Sequence, residues 1–150
     1  MKTRIKAAAA AGSDARMSGC PLPVVINSGS GNQGITVSMP VIVYAHEKGI
    51  NEEKLYRALV VSNLISVHQK RYIGNLSAYC GAVSAGTAAA CGIAYLDGAG
   101  YDIIGKIIVN SLGAVGGIIC DGAKASCAAK IASAVEAGLL AYEMAKNGRT

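Results

Sequence analysis

Apolar positions along this chain recur mostly with the 3.6-residue period of helices, and small side chains occupy many of them. Residues 2 to about 11 read as an alanine-rich helix. From Met17 to His46 there is no Asp, Glu, Lys or Arg. That span opens on a proline-bearing turn, CPLPVVIN, passes through SGSGNQG, and enters an apolar helix near Gly34 that Pro40 is expected to kink and Gly49 to close. Asn51 caps the next helix, with Glu52 and Glu53 in the first turn, where the helix dipole favours acids. Its inward positions are Leu55, Leu59, Ser62 and Ser66, and it ends near Gly74. A small-residue helix is predicted from about Leu76 to Leu96, then the turn DGAGYD and a helix from about Asp102 to Val115. After the GGIICDG loop, a last helix runs to about Lys146, where Asn147-Gly148 stops it. No repeat or linker divides the chain, so residues 1–150 are expected to form one mainly α domain, a compact bundle of small-residue-rich helices with a Gly-rich loop.

Composition sharpens this picture. Hydrophobic residues make up 52% of the 150, yet Phe and Trp are absent, so Ala, Val, Ile, Leu and Gly must fill the interior and helices can approach closely. The net charge of +5 comes from scattered basic residues and from small groups at Lys2, Arg4, Lys6 and Lys70-Arg71, without the aromatic interleaving of a strand binder. No nucleic-acid partner is expected. The start MKTRIKAAAAAG mimics a basic export leader, but its apolar stretch is only alanine and Asp14 and Arg16 follow directly. Asn75 to Leu96 is uncharged over a membrane-length span, yet Ala, Gly, Ser and Thr dominate it and no Trp flanks it, which predicts a buried core helix and no membrane partner.

The five cysteines are odd in number and irregularly spaced in a chain apolar enough to need no staples, which argues against a disulfide framework and for a reducing, cytoplasmic setting. Cys20 and Cys91 read as small buried apolar residues. Cys80, Cys120 and Cys127 differ: they lie in charge-poor, Gly-, Ala- and Ser-rich segments at two fixed separations, a pattern that suggests thiolates around a buried metal centre. Were Cys120 and Cys127 on one straight helix, they would stand about 10.5 Å apart along its axis at roughly 1.5 Å per residue. That is too far for two metal–sulfur bonds of about 2.3 Å each on a compact centre. Cys120 is therefore expected in a turn made by Asp121-Gly122, with Cys127 facing the same point from the start of the following helix.

Gly29, Gly31 and Gly34 satisfy G-x-G-x-x-G after a β-like PVVIN, which raises a dinucleotide-binding fold. That fold needs a second strand ending in an acid, and here Glu52 and Glu53 open a helix instead. The same loop suits a smaller anion, because backbone N–H groups at a helix N-terminus attract a carboxylate as readily as a phosphate. Ser28, Ser30, Asn32 and Gln33 add side-chain donors and acceptors.

Four motifs then carry a resemblance: SDARMSGCPLPVVINSGSGNQGITVSMPV, the H-x-K of His68-Gln69-Lys70, IGNLSAYCG from Ile73 to Gly81, and GGIICDGAKASC from Gly116 to Cys127. Together they resemble the iron-sulfur L-cysteine desulfidase family, related to the α chain of iron-sulfur L-serine dehydratases. The resemblance implies a 4Fe-4S cluster held by Cys80, Cys120 and Cys127 with one iron left open, a loop-helix iron-sulfur site. It also implies a substrate carboxylate held by the loop Ser28, Gly29, Ser30, Gly31, Asn32 and Gln33, and catalytic roles for His68 and Lys70 near the cluster. The implied activity is a lyase that eliminates sulfide or water from L-cysteine or L-serine to give pyruvate and ammonia, in a site dried by charge-free helices.

Family members with the activity are more than twice this length, and what precedes the SDARM motif in them has no counterpart here. The chain thus resembles a C-terminal portion, expected to be incomplete alone and to assemble with itself or with a separate N-terminal-half subunit. Two other classes use the same residues: a structural zinc site built from Cys80, Cys120, Cys127 and His68, and a dinucleotide-binding module that uses only the glycine loop.

Overall fold

In a computed structural model, which describes residues 1–74 and 76–150, the chain forms six α-helices. They are α1 (Lys2–Met17), α2 (Gly31–Glu47), α3 (Glu52–Ile73), α4 (Gly81–Leu96), α5 (Tyr101–Val115) and α6 (Cys127–Lys146). Asn75, inside the motif from Ile73 to Gly81, lies outside the described residues. The expectation of a mainly α bundle holds: among the described residues there is no strand, only two isolated antiparallel bridges. None of the described helices is long and apolar enough to cross a membrane.

The segment poorest in side-chain bulk lies at the centre. Every residue of α4 from Ala82 to Leu96 is buried except Tyr95, and the helix packs against α2, α3, α5 and α6. Glycine sets those distances. A Cβ on Gly86 would lie 2.7 Å from the Ala134 carbonyl carbon of α6, and one on Gly138 would lie 2.7 Å from the Gly86 carbonyl oxygen. On the opposite side, a Cβ on Gly92 would meet Val41 Cγ2 at 2.9 Å and the Ala58 carbonyl oxygen at 3.1 Å. Backbones that approach this closely replace the dispersion contacts that Phe or Trp would otherwise make.

Three boundaries differ from the sequence pattern, each because a tertiary contact outweighs local propensity. Helix α1 runs to Met17 rather than stopping near residue 11, since Gly12 and Ser13 keep it pressed on its neighbours: Ser13 is buried, and a Gly12 Cβ would meet Ile35 Cγ2 at 3.0 Å. Helix α2 starts at Gly31, three residues early, because Ser30 caps it, and it continues through buried Pro40 to Glu47. Helix α4 starts at Gly81 rather than Leu76. There the backbone from Ala78 to Cys80 is engaged with another loop, and that pairing builds the site.

Candidate functional site

Two chain crossings shape the first wall. Asn27 and Ser30 exchange backbone hydrogen bonds of 3.1 Å each across a turn whose central residues, Ser28 (φ 50°) and Gly29 (φ 86°), are both left-handed. The Asn27 amide donates to Asn63 Oδ1 at 2.9 Å, tying this turn to α3. Ser30 Oγ accepts the Gln33 N–H at 3.4 Å as the cap of α2. The third glycine of the motif serves packing: a Cβ on Gly34 would lie 1.8 Å from the Val25 carbonyl oxygen. With no strand flanking the loop among the described residues, the dinucleotide reading lacks its structural context.

The second wall is a bridge between two loops. Tyr79 pairs with Ile119, so that Cys80 N–H donates to the Ile118 carbonyl at 2.9 Å and Cys120 N–H to the Ala78 carbonyl at 2.7 Å. This brings Cys80 and Cys120 side by side across forty positions of sequence. Gly122 turns the chain at φ 93°, and Cys127 is the first residue of α6. That is the turn-then-helix arrangement expected from the seven-residue spacing. Asp121 locks the loop. Its carboxylate pairs with Lys130 and, at 3.0 Å, with Lys124, while Lys130 Nζ also donates to the Ile119 carbonyl at 3.0 Å. The hydrogen bonds from Lys130 and Lys124 hold the Asp121 carboxyl down at about 2, and the same contact with Asp121 raises Lys130.

Cys80, Cys120 and Cys127 line one cavity of about 210 Å³ together with Ser30, Asn32, Gln33 and Lys70. Lys70 is only 6% exposed and Gln33 8% exposed. Among the described residues Lys70 forms no ion pair and the buried Gln33 Oε1 has no hydrogen-bond partner. Lys70 is the only charged side chain among those described as lining this cavity. A buried cation without an acid calls for an anion, and a buried amide oxygen without a donor calls for an N–H or O–H, so the cavity suits a ligand that carries both a negative charge and a hydrogen-bond donor. Burial, reinforced by neighbouring Cys120 and Cys127 and opposed by a backbone contact at Ala82, pushes the Cys80 thiol up.

Several sequence expectations are corrected in place. The cysteines are not in a sealed interior: Cys120 is exposed, and Cys80 and Cys127 are half-buried, because the closed part of α4 begins only at Ala82. Cys20 is exposed, whereas Cys91 is buried as expected, its thiol pushed up to about 12 by burial. Of the glycine loop, Ser30, Asn32 and Gln33 reach the cavity, while Ser28, Gly29 and Gly31 are not among its lining. His68 is exposed on α3, edge-to-face with Tyr72 at 5.3 Å, and is not among the lining residues either. Two contributors were missed in the sequence. Lys130 clamps the cysteine loop, and Arg16 Nη1 donates to Asn32 Oδ1 at 3.1 Å. The signal for Lys130 was its place one helical turn after Cys127; Arg16 stood inside the SDARM motif without an assigned role.

No three His, Cys, Asp or Glu side chains among the described residues are arranged to ligate one metal ion as they stand; Cys127 Sγ, for instance, points to the Gly122 carbonyl at 3.7 Å. The fit to a metal centre is in donor chemistry: three soft thiols from separate segments open into one cavity.

The family model for the serine dehydratase alpha chain matches residues 1–150. The chain is 65% identical over 149 residues to a UPF0597 protein of Desulfitobacterium hafniense, covering 99% of this chain and 35% of that one. It is 59% identical over 149 residues to a UPF0597 protein of Finegoldia magna, covering 99% and 36%. It therefore spans about a third of the length of these relatives. No solved structure matches it significantly. Full-length agreement with the family model and close identity to its relatives establish that this chain belongs to the serine dehydratase alpha chain family.

Proposed function

We propose that the cavity receives the carboxylate of a small amino acid and that Cys80, Cys120 and Cys127 hold a 4Fe-4S cluster beside it. The activity is elimination of water from L-serine or of sulfide from L-cysteine, giving pyruvate and ammonia. The observation that carries this reading is the convergence of three thiols, the first turn of α2 and buried Lys70 on one cavity. When bound, such a cluster supplies a Lewis-acidic iron for the leaving group.

The chain's own residues do the rest. Lys70 and the first-turn N–H groups of α2, which lack partners within the helix, draw the carboxylate inward. Asn32 orients it by a hydrogen bond from its side-chain NH2, and Gln33 Oε1 accepts from the ligand's ammonium group. Lys130 and Asp121 keep Cys120 beside Cys80. His68, outside the cavity lining, is given no part in positioning the ligand. Leu76, Tyr79 and Ile119 are exposed around the cysteine loops. Covering them requires further polypeptide, either a second copy or the part of the family's length that this chain does not span, and that cover excludes water from the reaction. A reducing compartment suits the three free thiols.

Anaerobic reconstitution with iron and sulfide tests the reading. The expected product is brown and carries about four irons and four sulfides per chain. Replacing Cys80, Cys120 or Cys127 with Ser abolishes loading, and Cys20→Ser does not. Full iron retention by Cys127→Ser would overturn the ligand assignment. Pyruvate release from L-serine and L-cysteine, measured without oxygen before and after adding the remaining family polypeptide, tests the activity and its need for a partner.

A further inference from the structure

Arginine donates hydrogen bonds and accepts none, so the bond from Arg16 fixes which end of the Asn32 amide faces it: only Oδ1 can. The Arg16 side chain passes close to Gly31, where a Cβ would come within 2.7 Å of Nε and 3.0 Å of Cζ, so the absence of a side chain at residue 31 gives it room. Asn32 lines the cavity at 9% exposure, and Arg16 is not among the lining residues. The Asn32 backbone carbonyl is occupied by Thr36 Oγ1 at 2.7 Å, which holds the residue in the first turn of α2. The amide is therefore gripped from outside the cavity through its oxygen, which leaves its NH2 group as the end available to a ligand. Near it, Lys70 and Gln33 are both more than nine-tenths buried, and among the described residues Lys70 forms no ion pair and Gln33 Oε1 has no hydrogen-bond partner.

We propose that Arg16 is a positioning residue that fixes the Asn32 amide as a hydrogen-bond donor to an anionic ligand in the cysteine-lined cavity. This rests on the carboxylate reading above and deepens it. Without Arg16 the amide can turn over, presenting its oxygen to the carboxylate for part of the time, and an oxygen facing a carboxylate repels it. Arg16 acts only through Asn32, so its loss should matter only while Asn32 is present.

The test is a double-mutant cycle on the full chain, with L-serine and L-cysteine as probes and binding followed by calorimetry. Arg16→Met keeps the aliphatic cover over Gly31 and removes the donors. It should weaken binding roughly tenfold, Asn32→Ala should do the same, and the double variant should be no weaker than Asn32→Ala alone. Equal affinity of Arg16→Met and wild type, or a further loss in the double variant, would overturn the role of Arg16 while leaving the carboxylate site standing. Absence of any binding by wild type overturns the site and this inference together. A readout without ligand runs beside it: the Asn32 side-chain NH2 resonances should form one sharp pair in wild type and shift or broaden in Arg16→Met, with unfolding temperature nearly unchanged. An unmoved pair would overturn the proposal independently of any ligand.

Discussion

The two ends of α4 are built on opposite terms. At its C-terminal end, the Asp97 carboxylate accepts from Tyr44 Oη at 2.5 Å and from Tyr142 Oη at 2.9 Å, which ties α2, α4 and α6 together with every one of these polar groups answered. At its N-terminal end, Cys80 and Gly81 open onto a cavity where Lys70 has no acid partner among the described residues and Gln33 Oε1 has no donor. Between the ends the helix is sealed by glycine contacts to backbone. One end is thus optimised for stability and the other holds polar groups in reserve, the usual relation between a scaffold and the site it carries.

Gly86→Ala breaks the sealed part most severely. Its Cβ would meet Ala134 backbone, which cannot step aside, so we expect a loss of about 3 kcal/mol in urea unfolding. Gly81→Ala makes the same change at the open end, where the nearest atoms belong to the Gln33 side-chain amide. It should cost less than about 1 kcal/mol in stability and instead impair ligand binding by displacing Gln33. Equal destabilisation by the two would remove the contrast.

Asp97→Ala should cost about 2 kcal/mol, since two phenols lose a charged acceptor together. Burial first, and then the hydrogen bond to Asp97, pushes both phenols well above their ordinary value of 10.0. The folded state therefore favours the protonated form. Its contribution is complete below about pH 10 and is lost as pH rises through the alkaline range above it. Unfolding curves at pH 9 and 11 should show that loss in wild type and a smaller one in Tyr44→Phe with Tyr142→Phe.

The smallest effects compare two cysteines outside the cavity. Cys91→Ser places a hydroxyl in a fully buried position and should cost about 1 to 2 kcal/mol. Cys20→Ser, at an exposed position, should change stability by less than about 0.5 kcal/mol. A larger effect at Cys20 than at Cys91 would reverse the burial assignment that distinguishes them.

Local chemistry alone determined the helical class, the cap at Asn51, the stop at Asn147-Gly148 and the place of Cys127 at the head of α6. Each depends on a few neighbouring residues and on the rise of a helix, and all are visible in one stretch of chain. Tertiary structure decided the rest. The Tyr79–Ile119 bridge cut α4 back to Gly81, although nothing within Leu76–Cys80 announces a partner forty residues away. It also decided that Lys70 reaches the cavity while His68, two residues earlier on α3, faces outward: the H-x-K spacing puts the two side chains about 200° apart around a helix, and only the packing of α3 determines which one points in. Arg16 was silent in sequence for the same reason, since it acts through Asn32 in another element, whereas Lys130, one helical turn after Cys127, clamps a loop only about ten residues before it.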